Sequence, residues 1–168
     1  MVNLSFNELI IISPHCDDDL IGNYEIISTK SYKPIIIYTE KTNTQRKEES
    51  LKLKDFFPNI KAQLFEKSIP SHFINKDNLF LFPDPIYEFH PAHRLQSCIG
   101  EKMFHENYNV VFYNINMTAP YCHEVKCFKD KERYLNLIYP SQKSLWEHDK
   151  KWVLFEGRNK WLNNICLG

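Results

Sequence analysis

The chain has 168 residues, with 21 Lys and Arg against 21 Asp and Glu, so its net charge is zero. That length predicts one domain over 1–168 with a substantial core, and the charge balance excludes a general polyanion binder: no nucleic-acid partner is expected, because nonspecific affinity rests on a positive field. The 4 glycines argue against a Gly-rich phosphate loop, and no segment approaches the roughly 20 apolar residues that a membrane span requires.

The 5 cysteines, Cys16, Cys98, Cys122, Cys127 and Cys166, include no CxxC pair. The odd count predicts reduced thiols in a cytoplasmic protein rather than a disulfide framework. The N-terminal run "LIII" is too short for a signal peptide, and acids follow it. The sequence carries no signature of oligomeric state.

In chain order, "LIIIS" (9–13) reads as a buried strand and residues 18–30 as a helix, with Asp17–Asp19 at its N-terminal turn. "KPIIIYTE" (33–40) is a second buried strand. Residues 44–57 form an amphipathic helix with Leu51, Leu53, Phe56 and Phe57 as its apolar residues, closed by Pro58. Residues 60–65 make a third strand, 66–89 are irregular, 93–105 are helical, and "NVVFYNI" (109–115) is a fourth buried strand. A helix follows around 131–139, and "SLWEHDKKWVLFE" supplies a helix and a last strand. This alternation predicts an α/β protein, a three-layer α/β/α sandwich on a mainly parallel, Rossmann-like sheet. In such sheets ligands sit outside the carboxyl ends of the strands, where His15 and the three aspartates fall.

The stretch "PHCDDDLIG" (14–22) carries the first chemical signal. One carboxylate at a helix N-terminus is explained as a cap. Three acids beside His15 are not, because adjacent carboxylates repel unless a cation or a proton relieves them. His15 and Asp18 can be aimed at one point by a tight turn, leaving Asp17 beside it as a base. "FHPAH" (89–93) adds His90 and His93 on a turn stiffened by Pro91. Two histidines, one aspartate and an open position match a hydrolytic zinc centre. Arg46 and Glu49 read either as a solvated helix pair or as part of a site, and Asp84, between two prolines, reads equally as a turn residue. "CHEVKC" (122–127) lacks a fourth ligand and reads as a loop or edge strand, and "WEHDKKW" (146–152) as a solvated helix face.

"PHCDDDLIG" resembles the PHPDDE-type motif of the PIG-L/LmbE-like zinc-dependent deacetylases, and "HPAH" resembles their HPDH motif. "IIIYTE" (35–40), "RKEE" (46–49), "LFPDP" (81–85) and "LNLIYPSQ" (135–142) are similar to further segments of that family in the same order. Cys16, Asp19 and Ala92 stand where the pattern has Pro, Glu and Asp. The resemblance implies His15, Asp18 and His93 as ligands of Zn2+ or another divalent metal. It implies Asp17 as general base, His90 as the oxyanion-stabilising group, and Arg46 and Asp84 as substrate contacts. It implies a metal-dependent hydrolase that removes an acetyl group from an N-acetylated sugar or sugar conjugate, a small-molecule N-acylated substrate. The alternatives are a hydrolase of another small acylated substrate, such as a modified nucleoside or nucleotide, and an inactive ligand-binding relative.

Overall fold

The computed structural model describes residues 6–158. Seven strands form one sheet: β1 (Leu9–Ser13), β2 (Ile35–Tyr38), β3 (Ala62–Phe65), β4 (Leu79–Pro83), β5 (Asn109–Asn114), β6 (Cys122–Glu124) and β7 (Phe155–Arg158), in the order β3-β2-β1-β4-β5-β7-β6. The pairs from β3 through β5 are parallel, while β7 runs antiparallel to both β5 and β6. β1, β2 and β4 are buried along their whole length, as expected of isoleucine, leucine and phenylalanine runs covered on both faces.

The helices are α1 (Asp18–Ser28), α2 (Thr44–Leu51), α3 (Leu53–Phe56), α4 (Pro91–His105), α5 (Phe128–Ile138), α6 (Lys143–His148) and α7 (Lys151–Leu154). Side-chain alternation along β1 sends Leu9 and Ile11 into one core with residues of α1, α3, α5, α6 and α7, and Ile10 and Ile12 into a second with Met103 of α4. Helices therefore lie on both faces of the sheet. Two glycines set their approach. A Cβ on Gly22 of α1 would stand 2.5 Å from Tyr113 Cδ2 of β5, and one on Gly100 of α4 would stand 2.7 Å from Phe82 Cγ of β4. Among the described residues, no helix is long and apolar enough to cross a membrane.

Three elements differ from the sequence-based expectation. The stretch 66–89 is not irregular throughout, because it contains β4, a central strand between β1 and β5. Pro83 masks it in the sequence, yet that residue only closes the strand, after the ladder to β1 has ended at Leu81. The helix expected over 44–57 divides at Lys52, whose N–H bonds to Glu49 and Ser50. Leu51 and Leu53 point about 200° apart on one helix, so a single straight helix cannot bury both. The division buries Leu53 and Phe57 and leaves Leu51 and Phe56 exposed. The 146–152 segment is solvated at Glu147, His148 and Lys150, but Trp146 is fully buried and donates its indole N–H to Asn136 Oδ1 at 2.9 Å. "CHEVKC" supplies the edge strand β6. Cys16, Cys98, Cys122 and Cys127 are free thiols, and Cys166 lies outside the described residues.

α1 is internally broken. Asn23 leaves helical geometry at φ −138° and ψ 26°, and a buried ion pair occupies the gap in the ladder. Lys131 Nζ donates to Ile21 O at 2.7 Å and to Phe155 O at 3.0 Å. The Glu25 N–H that would have bonded to Ile21 O donates instead to Glu156 Oε2 at 3.3 Å. Lys131 and Glu156 face each other at 3.3 Å with both side chains fully buried.

The chain builds β1, β2 and β3 outward on one side, then returns to build β4 and β5 on the other. The order reverses between β1 and β4, and in sheets of this kind such a reversal at the strand carboxyl ends is where ligands bind. His15 follows β1 and His93 follows β4, so the fold brings both to this point.

Candidate metal centre

The loop after β1 turns tightly. The His15 backbone N–H donates to Asp18 Oδ2 at 2.7 Å, and His15 Nδ1 meets the same oxygen at 3.0 Å. From the other loop, His93 Nε2 lies 3.1 Å from His15 Nδ1 and 3.2 Å from Asp18 Oδ2. Two ring nitrogens and one carboxylate oxygen thus form a near-equilateral triangle. Ligands about 2.0–2.2 Å from a tetrahedral zinc stand about 3.3–3.6 Å apart, so the donor set and its spacing fit an ion with slight expansion. His90 completes the cluster: its ring lies 4.7 Å from that of His15 and 5.1 Å from that of His93. Ligand nitrogens of His15, His90 and His93 all lie within 4.8 Å of one another.

The electrostatics are those of a site built around positive charge. Burial pushes the Asp18 carboxyl up, but His93 and His15 beside it win and hold it well below the usual carboxylate range. Burial opposes the His93 imidazolium, yet Asp18 and Glu88 outweigh it and raise that ring to about 10. Burial, with Asp18 next to it, raises Asp17 to about 6. Partial burial and the neighbouring rings of His15 and His93 lower His90.

Asp17 is the N-cap residue of α1, but its side chain makes no capping hydrogen bond. Its Oδ2 instead accepts from Arg46 Nη2 at 3.0 Å, and the same nitrogen donates to Gln142 Oε1 at 2.7 Å. Glu49, one turn after Arg46, is buried and accepts from the Ser141 amide at 3.1 Å and from the Ser141 hydroxyl at 2.5 Å. Arg46 and Glu49 therefore clamp α2 onto the 140–142 turn. The reading of them as a solvated pair is corrected by these contacts, and Arg46 belongs to the site through Asp17.

Asp19 points away from the cluster. Its carboxylate accepts from Tyr38 at 2.6 Å, from the Leu20 amide at 2.6 Å and from Tyr139 at 3.0 Å. Complete burial raises it to about 7 against those donors. Cys16 lies 3.3 Å from the Thr42 hydroxyl, and burial pushes its thiol up, away from a reactive thiolate.

Asp84 holds a loop. Oδ1 accepts from the Ile86 and Tyr87 amides at 2.7 Å and 2.9 Å, and Oδ2 accepts from the Tyr121 hydroxyl. Both oxygens of this fully buried carboxylate are engaged, so it shapes the 85–88 turn. That turn delivers Glu88, which the motif reading passed over. Glu88 Oε2 meets His93 Nδ1 at 2.9 Å, and Oε1 accepts from Asn114 Nδ2 at 3.0 Å, from Ile115 N–H and from Asn116 N–H at 3.2 Å. The available signal was an acid close before a histidine pair, which is too common to single out.

No family model matches the chain, and no curated protein or solved structure matches it. The fold and the site together define an α/β protein with a histidine–aspartate cluster of metal-binding geometry at the carboxyl ends of its parallel strands.

Proposed function

We propose that this protein is a metal-dependent N-deacetylase acting on an N-acetylated sugar or sugar conjugate. The observation that carries the reading is the His15 Nδ1, Asp18 Oδ2 and His93 Nε2 triangle with Asp17 and His90 at its edge. His15, Asp18 and His93 are the proposed ligands of Zn2+. When bound, that ion supplies Lewis-acid polarisation of a carbonyl and of a water nucleophile. The strand order β3-β2-β1-β4-β5 supports a Rossmann-like arrangement, in which the switch point is the usual ligand crevice. The free thiols and net charge of zero accord with a cytoplasmic enzyme of small substrates rather than of nucleic acid.

Asp17 is the base. Its raised affinity for a proton, to about 6, keeps it ionised at neutral pH yet able to hold the proton of the attacking water. Arg46 on Oδ2 fixes the carboxylate plane. His90 Nδ1 accepts from the Ala92 amide at 3.3 Å, which leaves the proton on Nε2 in the neutral ring. That N–H is the donor for the developing oxyanion, and the proton on Asp17 then passes to the departing amine.

The test is metal content and turnover in variants. The native protein is expected to hold about one zinc per chain and His93→Ala none. His90→Ala should keep the metal and lose on the order of 100–1000-fold in turnover of N-acetyl sugars. Loss of metal in His90→Ala would favour a second reading, in which the three-histidine grouping is the ligand set. Native protein that binds no added zinc would overturn the hydrolase and leave a ligand-binding relative.

A further inference from the structure

The strongest unused group near the cluster is Glu88. It is a buried carboxylate that spends four contacts on two different tasks. Oε1 is anchored by three donors at the end of β5: Asn114 Nδ2, Ile115 N–H and Asn116 N–H. Asn114 is itself fixed, because its Oδ1 accepts from the Thr118 amide at 2.9 Å. Oε2 is aimed at His93 Nδ1 at 2.9 Å. A carboxylate held at one oxygen by the sheet and offering the other to an imidazole is a fixed lever on that ring.

We propose that Glu88 is a positioning residue for the metal centre: it holds the His93 proton on Nδ1 and so presents Nε2, as a lone pair, to the point shared by His15 and Asp18. This rests on the hydrolase reading above and deepens it. The physical reason is general. A ligating histidine has two nitrogens, and the hydrogen bond made by one decides which the metal can use and how the ring is turned. His93 sits in the first turn of α4, and among the described residues its Nδ1 has no other acidic partner. The interval between the two histidines of "HPAH" is filled by Pro91 and Ala92, neither of which carries a polar side-chain atom. The carboxylate therefore arrives from the preceding turn, which Asp84 and Tyr121 hold in place. It also links the metal centre to the carboxyl end of β5, on the far side of β4 from His15.

The experiment compares Glu88→Gln with Tyr121→Phe, which loosens the same turn through Asp84 but leaves the Glu88 contacts alone. Zinc affinity is measured on the full chain by competition with a chromophoric chelator. Glu88→Gln is expected to weaken zinc by about 10–100-fold, with Tyr121→Phe within about twofold of native. Equal weakening in both variants would reduce Glu88 to a loop anchor and overturn the proposal, as would native affinity in Glu88→Gln. Should that variant not fold, the native protein still decides. Its zinc-loaded form, labelled with 15N-histidine, should show His93 protonated at Nδ1 and metallated at Nε2, and the opposite assignment overturns the proposal. Native protein that binds no zinc is a separate outcome, which removes the parent reading and this one with it.

Discussion

His93 stands between two carboxylates, Asp18 at Nε2 and Glu88 at Nδ1, and keeps its second proton up to about pH 10 in the metal-free chain. A cation bound at Nε2 must displace that proton. Zinc affinity is therefore expected to climb with pH between 7 and 9, by about tenfold per unit for each proton displaced. Calorimetry in buffers of different ionisation enthalpy measures the release, and a pH-independent affinity would remove His93 from the ligand set. The same shift acts on folding. A histidine raised above its ordinary 6.5 contributes stability that is complete below that value and is lost as the pH rises through about 10. The metal-free protein should weaken on the alkaline side, and His93→Gln should flatten that slope in urea titrations. The proposed ligands stand out in the sequence, because a histidine beside three acids has few structural uses. Glu88 was not. Its role depends on Asn114, Ile115 and Asn116, 26 to 28 residues away, and no local pattern announces that contact.

At the scale of elements, α1 is a helix whose ladder is interrupted by charge. Lys131 takes the Ile21 carbonyl and Glu156 takes the Glu25 amide, so each end of the missing bond is satisfied by an ion. The pair fixes the hinge between the turn that carries Asp18 and the rest of the helix. Arg158 also reaches Glu156 Oε2, at 3.2 Å, and shares the anion. Lys131→Met should cost about 3 kcal/mol in denaturant unfolding, because it leaves the buried Glu156 carboxylate with Arg158 as its remaining cation and takes a donor from the Ile21 and Phe155 carbonyls. Adding Glu156→Gln should recover part of that loss, since a neutral amide still accepts from Glu25 N–H and leaves no buried negative charge without Lys131. If the double variant is as unstable as the sum of the single ones, the pair is not the wedge described. The sequence predicted one unbroken helix over 18–30 because its apolar spacing is continuous through Asn23. The partners that break it lie on α5 and β7, more than 100 residues later. Local periodicity sees which face is apolar, not which hydrogen bonds a distant charge will replace.

At the scale of the molecule, the site is a seam between two halves of one sheet. The parallel sheet and the strand-end location follow from the apolar runs at 9–13, 35–38 and 109–114 with helices between them. The missing piece is β4, whose Pro83 hides the strand that sets His90 and His93 beside His15. His15 and His93 are 78 residues apart in the chain, one after β1 and one after β4. An ion held by both ties the two halves of the sheet together, and the unfolded chain cannot present the same set at once. Binding energy therefore becomes folding energy. At a free zinc concentration about 100 times the dissociation constant, linkage adds about 2.7 kcal/mol. For a chain of this size that corresponds to a rise of about 5–10 °C in the melting temperature. Scanning calorimetry with and without zinc should show that rise in the native protein and none in His15→Ala or His93→Ala. Lys131→Met should melt lower throughout and keep the full zinc increment, because Lys131 meets α1 at Ile21, beyond Asp18, and touches none of the proposed ligands. A zinc increment that survived loss of either histidine would place the ion elsewhere and dissolve the link between the strand order and the chemistry.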